Sequence, residues 1–437
     1  MKPHALNSSR ENVEDRSFYT VIETETVPED AVHWEREHFI PVAQADWRVL
    51  MTDLAMDAGL SHERFEEFCA LLDSLIHMRA YHENAELSEN YSHMDPDCIN
   101  ERLQATGDVA LADCGKKVLK QLDRIMVRAN YQKLSRQDLV EALKNASEFG
   151  MQMSANFSGF KRLGVYVRGK VVGKRVRRRM TNFYRREEVD VPLYQRLVIC
   201  FQMTEEASDG EELRHDCLYI KSFKNIPQHD IDMLLPGTKV RMSLVDRSKI
   251  VLPTLSGLAI LILRLVFAVS MGVFAFASLM FTTSGYAVKS IFGYLRTKDK
   301  YQHNLTKNLY YQNLGNNAGV LQQLQNEAQT QDIQECLLGY TMLLLKHPNG
   351  ATARALDQSA EAFIQEAVQF PVDFEVDDAL SKLVNLKLVN VDRQRQFVAV
   401  PLRTGIQHLQ ACFTTLINSY SSMINDEAIP APDSVKH

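Results

Sequence analysis

A chain of 437 residues, 45% hydrophobic and 24% charged, has room for two or three domains. Its seven cysteines (69, 98, 114, 200, 217, 336 and 412) are odd in number and never spaced Cys-x-x-Cys. That argues against a disulfide framework or a structural zinc site and fits a reducing compartment.

Residues 1–30 are polar and read as a disordered tail, and the start MKPHALNSSRENVEDRSF lacks the apolar core of a secretory signal. A helical domain is expected over 31–150. Asp46 and Ser61 stand where N-caps would, and Phe65, Phe68, Leu72, Leu75 and Ile76 recur at helical spacing on one buried face. Further helices are expected over 109–130 and 136–148, the second opened by a capping box of Ser135 and Asp138. After Phe160 the period falls to two. Val165, Val167 and Val171 alternate with Tyr166, Arg168 and Lys170, the pattern of a half-buried strand, and Gly173 is expected to allow a bulge or turn. With strands expected at 194–203, 217–223 and 239–245 and a short helix QHDIDMLL, residues 155–250 read as a basic β-rich domain.

Residues 251–288 then carry one charge, Arg264, in 38 residues, longer than the roughly 18–20 a membrane span requires. Both flanks are basic, and basic residues are expected on the cytoplasmic side. Two short helices over 251–291 therefore fit better than one span from Leu265 to Val288, although the hairpin places Arg264 inside the bilayer. The expected localisation is a membrane, the inner one in a Gram-negative cell, with the bulk of the chain cytoplasmic.

Juxtamembrane helices are expected over 292–330 and a winged-helix-like domain over 331–418. The latter orders a helix (332–346), an extended piece (350–353), two helices (355–368, 375–388) and a hairpin around Arg393-Gln394-Arg395. Residues 419–437, rich in Ser, Pro and acids, read as a disordered tail. The fold class expected is an α+β membrane protein: helical N-terminal domain, small antiparallel sheet, transmembrane helical hairpin and winged-helix-like C-terminal helical domain.

Charge is unevenly spread: residues 1–150 carry a net −12, residues 151–310 a net +12 and residues 311–437 a net −6. The sharpest run is 161–186, with eleven cations and no acid: Lys161, Arg162, Arg168, Lys170, Lys174, Arg175, Arg177, Arg178, Arg179, Arg185 and Arg186. It is a candidate surface for anionic lipid, with a solvated face or pairing with the acidic N-terminal domain as the competing reading and nucleic acid not expected. Gly164-Val-Tyr-Val-Arg-Gly169-Lys170 imitates a phosphate loop, but Val171 stands where Ser or Thr would hold magnesium. His77 and His82 do not share a helix face, His93 completes no paired metal motif with them, no Gly-x-Ser-x-Gly occurs, and no cofactor or metal is expected. Tyr310, Tyr311, Gln312, Asn313, Asn316 and Asn317 concentrate phenols and amides; they mark either a helix end or a buried polar network with a ligand.

The segments FKNIPQHDIDMLLPGTKVRMSLVDRSKIVLPTLSGL (223–258) and YLRTKDKYQHNLTKNLYYQNLGNNAGVL (294–321) resemble an uncharacterised membrane family, that of transmembrane protein 143. PLYQRLV (192–198) and, more loosely, HENAELSENYSHMDPD (82–97) extend the likeness. The resemblance implies a membrane protein without an established activity, a basic residue at Arg264 in relatives, and no catalytic residues. The function expected is that of a membrane-anchored interaction or scaffolding protein with a protein partner or self-association. A membrane-associated enzyme acting on a lipid or membrane-bound substrate and a small oligomeric pore are the alternatives.

Overall fold

The computed structural model describes residues 36–98, 108–139, 152–154, 157–178, 186–208, 213–228, 231, 234–236, 239–241 and 311–426. In chain order they form helices α1 (Gln44–Asp57), α2 (His62–Ser92) and α3 (Asp108–Arg128), then strands β1 (Gln132–Lys133), β2 (Gln152–Ser154), β3 (Phe160–Arg178), β4 (Arg186–Met203), β5 (Tyr219–Pro227), β6 (Lys239–Arg241) and β7 (Asn313–Asn316). Helices α4 (Asn317–Leu345), α5 (Ala353–Val368) and α6 (Val376–Asn385) follow, with the hairpin β8 (Val389–Val391) and β9 (Phe397–Ala399) and the last helix α7 (Leu402–Asp426).

Helix α4 organises the rest. At about 1.5 Å per residue its 29 residues rise about 44 Å, enough to run through two hydrophobic cores. Along its second half, Ile333, Leu337, Tyr340 and Leu343 join Trp47 and Met51 of α1, Phe65, Phe68 and Leu72 of α2, and residues of α5, α6 and α7. Phe68 stacks on Tyr340 with ring centroids 4.4 Å apart. Along its first half, Val320, Leu321, Leu324 and Ala328 pack with Leu87, Leu122 and Met126 against one face of the sheet. One core thus takes residues from both 40–76 and 333–409, and α4 runs across residue 330.

The sheet has the order β1-β3-β4-β5-β7, all antiparallel. Tyr166, Val198, Cys200 and Ile220 face the helices, while Val165, Val167, Leu197, Ile199 and Phe201 face a third cluster closed by Leu139, Ile231 and Leu235. Over Val165–Arg168 both faces of β3 are therefore covered, and the half-buried strand read from its alternation is corrected there: α4 packs on the face that carries Tyr166 and Arg168. Gly173 makes no turn but pairs with Val191 in a continuous ribbon. The left-handed residue is Gly169, with φ +75°, where an added Cβ would lie 2.7 Å from Gln195 Cβ. The ribbon sets Lys174 opposite Asp190 and Arg177 opposite Glu187.

Local signals fared unevenly. Ser135 and Asp138 form the expected reciprocal cap, with the Ser135 N–H donating to Asp138 Oδ2 at 2.7 Å and the Asp138 N–H to Ser135 Oγ at 3.1 Å. Helix α1 instead begins two residues before Asp46, with Ala43 at the cap.

The membrane part of the expected fold class is corrected. The described architecture is mixed α and β with a small antiparallel sheet, and among the described residues no helix is long and apolar enough to cross a bilayer. The long helices carry polar residues at the positions where a span would have apolar ones; α4 alone buries Gln325, Gln329, Gln331, Asp332, Gln334 and Glu335. Residues 251–291 and Arg264 lie outside the described residues, and the transmembrane hairpin and membrane localisation expected from them are withdrawn.

Candidate functional site

The residues preceding α1 are an irregular segment fastened at three places. Its Glu37 N–H donates to Pro371 O at 3.3 Å and its Glu37 carbonyl accepts from Asp373 N at 2.8 Å, tying it to the loop between α5 and α6. The Glu37 carboxylate accepts from the Gly169 N–H at 3.1 Å and from the Lys170 N–H, tying it to the sheet. The Gln331 amide accepts from Ile40 N at 2.9 Å and donates to Ile40 O at 3.3 Å, while Gln334 donates to Val42 O at 2.7 Å. Two glutamines on α4 thus hold the backbone of this irregular segment, satisfying groups that no sheet neighbour reaches.

Beside this segment stands Arg168. Its guanidinium lies 4.8 Å from the Phe39 ring centroid and 4.6 Å from that of Tyr131, donates to Ala129 O at 2.9 Å and meets Glu327 Oε2 at 2.9 Å. Glu327 also accepts from the Tyr131 hydroxyl at 2.8 Å and from Gln323 at 2.8 Å. A cation stacked on two rings and paired with a partly buried carboxylate is held in one place.

Between the segment and α4 lies a shallow, open cleft of about 660 Å³. Phe39, Pro41 and Val42 form one wall; Gln322, Gln323, Asn326 and Thr330 of α4 form the other, with the Arg168–Glu327 pair at its base.

A second polar cluster lies deeper. Asp332, Glu335 and Asp378 bring carboxylate oxygens within 4.8 Å of one another, the spacing of a cation site. The cation there is Lys382, whose Nζ lies 2.6 Å from Asp332, 2.9 Å from Glu335 and 2.5 Å from Asp378. Arg128 holds the other oxygen of Asp332 at 2.5 Å, and Asn130 donates to Glu335 at 2.9 Å. Burial pushes the Glu335 carboxyl up to about 7, against the downward pull of Lys382. Against burial, Glu335 and Asp332 hold the Lys382 ammonium protonated. This is a structural ion cluster joining α3, α4 and α6.

Four of the cysteines are buried in the packing of the fold. Burial pushes the thiols of Cys69, Cys200 and Cys217 up to about 12, far from a nucleophile's range. His347 Nε2 lies 2.8 Å from Ser359 Oγ, but that hydroxyl donates to Ala355 O at 2.9 Å.

The residues singled out from sequence are dispersed. Lys161 and Lys174 are exposed; Arg162 packs over Gly115 of α3; Arg168 is turned inward; Lys170 offers its backbone to Glu37. Arg175, Arg177, Arg178 and Arg186 lie on the outer ribbon, while Arg179, Arg185 and Tyr310 lie outside the described residues. Tyr311 is exposed and Gln312 donates to Asn225 O at 3.2 Å. Asn313 and Asn316 sit in the edge strand β7. Asn317, at φ +51°, accepts from Ile220 N at 3.2 Å and donates to Asp97 at 2.7 Å, fastening the start of α4 to β5. None of the five described members of this group lines the cleft. Sequence reasoning passed over the cleft's polar wall; its one signal is the run of amides on a helix, QQLQNEAQTQ.

The segment's fastening titrates. His38 Nδ1 lies 2.8 Å from Glu375 Oε1 and 4.0 Å from Asp373. Glu375 raises the imidazole above its ordinary 6.5, and His38 in turn lowers Glu375 below its ordinary 4.5. The raised His contributes stability below 6.5 and loses it as pH rises through the raised value; the lowered Glu contributes above 4.5 and loses it as pH falls. The pair's contribution is therefore complete only between about pH 4.5 and 6.5. Both side chains are partly exposed, so it amounts to less than about 1 kcal/mol. Urea denaturation of wild type and His38→Gln from pH 4 to 9 should show a stability difference that peaks in this window; a flat difference contradicts the pairing.

Residues 194–319, from within β4 to the start of α4, match the model of a family described as protein of unknown function, DUF3754. The chain thus carries a domain of unknown function over less than a third of its length. The match carries nothing specific to the transmembrane protein 143 family. No solved structure matches the chain.

Proposed function

We propose that the chain is an interaction protein that holds a protein partner in the cleft between residues 39–42 and α4. The observation that supports this reading is the cleft's construction. Its wall is fastened to the sheet, to α4 and to the α5–α6 loop before any ligand arrives, while Gln322 and Asn326 are exposed on the facing wall. A wall held in advance spares the ordering cost that binding otherwise carries. The charged residues that line it, Arg168 and Glu327, pair with each other at 2.9 Å, so the cleft offers hydrogen bonds and apolar contact.

A photo-crosslinking residue at position 326 of the full chain, in cells, tests this. Irradiation should give discrete adducts that are absent when the same residue stands at position 358, exposed on α5 and outside the cleft. Identical products from the two positions contradict the reading.

A further inference from the structure

We propose that the ion cluster around Glu335 is a proton-operated clasp: one proton taken from solvent onto the Glu335 carboxylate tightens the junction between the two hydrophobic cores that α4 joins, and its loss loosens that junction. On α4, Ala328 is the last residue in the core against the sheet and Ile333 the first in the other core. Asp332 and Glu335 stand at this change, and each reaches both ways. From the sheet-side core come Arg128 and, just past it, Asn130, flanked by Met126, Ala129 and Tyr131. From the other core comes Lys382, between Leu380 and Leu383. Asp332 meets Arg128 at 2.5 Å and Lys382 at 2.6 Å. Glu335 accepts from Asn130 and from Lys382, each at 2.9 Å. The two carboxylates are therefore bridges from one core to the other.

The charges in this junction do not balance. Glu335 is faced by Asp332 and Cys336 on α4, by Asp378 and Lys382 on α6, and by Arg128 and Asn130 at the end of α3; Glu83 of α2 shares Arg128 at 2.6 Å. Four carboxylates thus meet two cations, and Arg128 is committed to Asp332 and Glu83. Cys336 changes nothing, because burial pushes its thiol up. Crowded carboxylates favour protonation of one member, and the most buried member costs most to keep ionised. That member is Glu335, 2% exposed against 45% for Asp378 and 63% for Glu83. Its carboxyl is accordingly held at about 7. A receiving atom is at hand: Asp332 Oδ1 is buried and accepts no aligned hydrogen bond, although Lys382 Nζ lies 2.6 Å away. Protonated Glu335 turns from acceptor to donor among carboxylate oxygens that all lie within 4.8 Å, and Lys382 is left to two carboxylates instead of three. Opening the junction returns Glu335 to water and to its ordinary 4.5. Between 4.5 and about 7 the closed form holds a proton that the open form lacks. Closure therefore weakens about tenfold per pH unit as pH rises through that window, and is level above it.

Hydrogen exchange of the full chain from about pH 5 to 8, with the intrinsic rate at each pH divided out, tests this. The amides of Ala129, Asn130 and Tyr131, bonded to Ile125 O, Val127 O and Met126 O, report the junction. Those of Ala58 and Leu60, bonded to Leu54 O and Ala55 O at the end of α1, report a place away from it. Protection at the junction should fall about tenfold per unit between about pH 5 and 6.5 while the α1 amides stay level. In Glu335→Gln the junction should be equally protected at every pH. Asp378→Asn, a change at a half-exposed position that removes one competitor for Lys382, should move the fall to lower pH. Junction protection that ignores pH in the wild-type protein overturns the proposal, as does the same fall in Glu335→Gln. An equal fall at Ala58 and Leu60 also overturns it, since Glu335 would then set the stability of the whole fold and not of the junction. Should Glu335→Gln not fold, the wild-type and Asp378→Asn series decide by themselves.

Discussion

Lys382→Met should destabilise the protein by about 3–5 kcal/mol, the range for removing one partner of a buried ion pair. The ammonium is the shared counter-ion of Asp332 and Glu335, whose side chains are 5% and 2% exposed. Without it, Arg128 still answers one oxygen of Asp332, but Glu335 keeps only the Asn130 amide. The loss should be pH-dependent in a defined direction. A carboxyl held above its ordinary 4.5 destabilises the fold when ionised, and losing the downward pull of Lys382 raises Glu335 further above the about 7 it has beside the ammonium, so stability of the variant should recover as pH falls, beginning above 7. Adding Glu335→Gln should restore much of the loss at neutral pH, since a glutamine oxygen can still accept from Asn130. Urea denaturation of the single and double variants checks this; equal instability of both contradicts the account of the cluster.

Arg168→Met should cost about 3 kcal/mol, because it strands Glu327 and removes two cation–ring contacts at once. The informative companion is Arg168→Lys. A lysine keeps the charge, but its ammonium cannot lie flat between Phe39 and Tyr131 while reaching both Ala129 O and Glu327. It should recover less than half of the loss. Full recovery by lysine would mean that only the charge matters and that the planar sandwich is incidental.

These two residues also show where sequence reading stops. Helix α2's buried stripe and the cap at Ser135 are local, set by residues three or four apart, and they are legible. Arg168 alternates with valines and reads as solvent-facing, yet α4, some 160 residues later, covers that face. Asp332 and Glu335 look like the polar side of an amphipathic helix; only the packing of α3 and α6 shows them buried. Charge counting treats 161–186 as one basic surface, whereas the register sets Asp190 and Glu187 opposite Lys174 and Arg177. In the 310–317 cluster, Asn317 is the member drawn into a buried network, because its amide reaches Asp97 and Ile220 together. The cleft was not legible because its two walls are about 280 residues apart in the chain.

The claim on which the functional reading stands is that the cleft's wall is set before a ligand arrives. Hydrogen exchange at the Glu37 and Ile40 amides of the free protein measures this directly. Both N–H groups are bonded, to Pro371 O and to Gln331 Oε1. They should exchange about a thousandfold more slowly than in an unstructured peptide, which corresponds to local opening at roughly 4 kcal/mol. Gln331→Ala should release Ile40 selectively while Glu37 stays protected. Exchange of both amides at the unstructured rate in the wild-type protein would contradict a preformed wall.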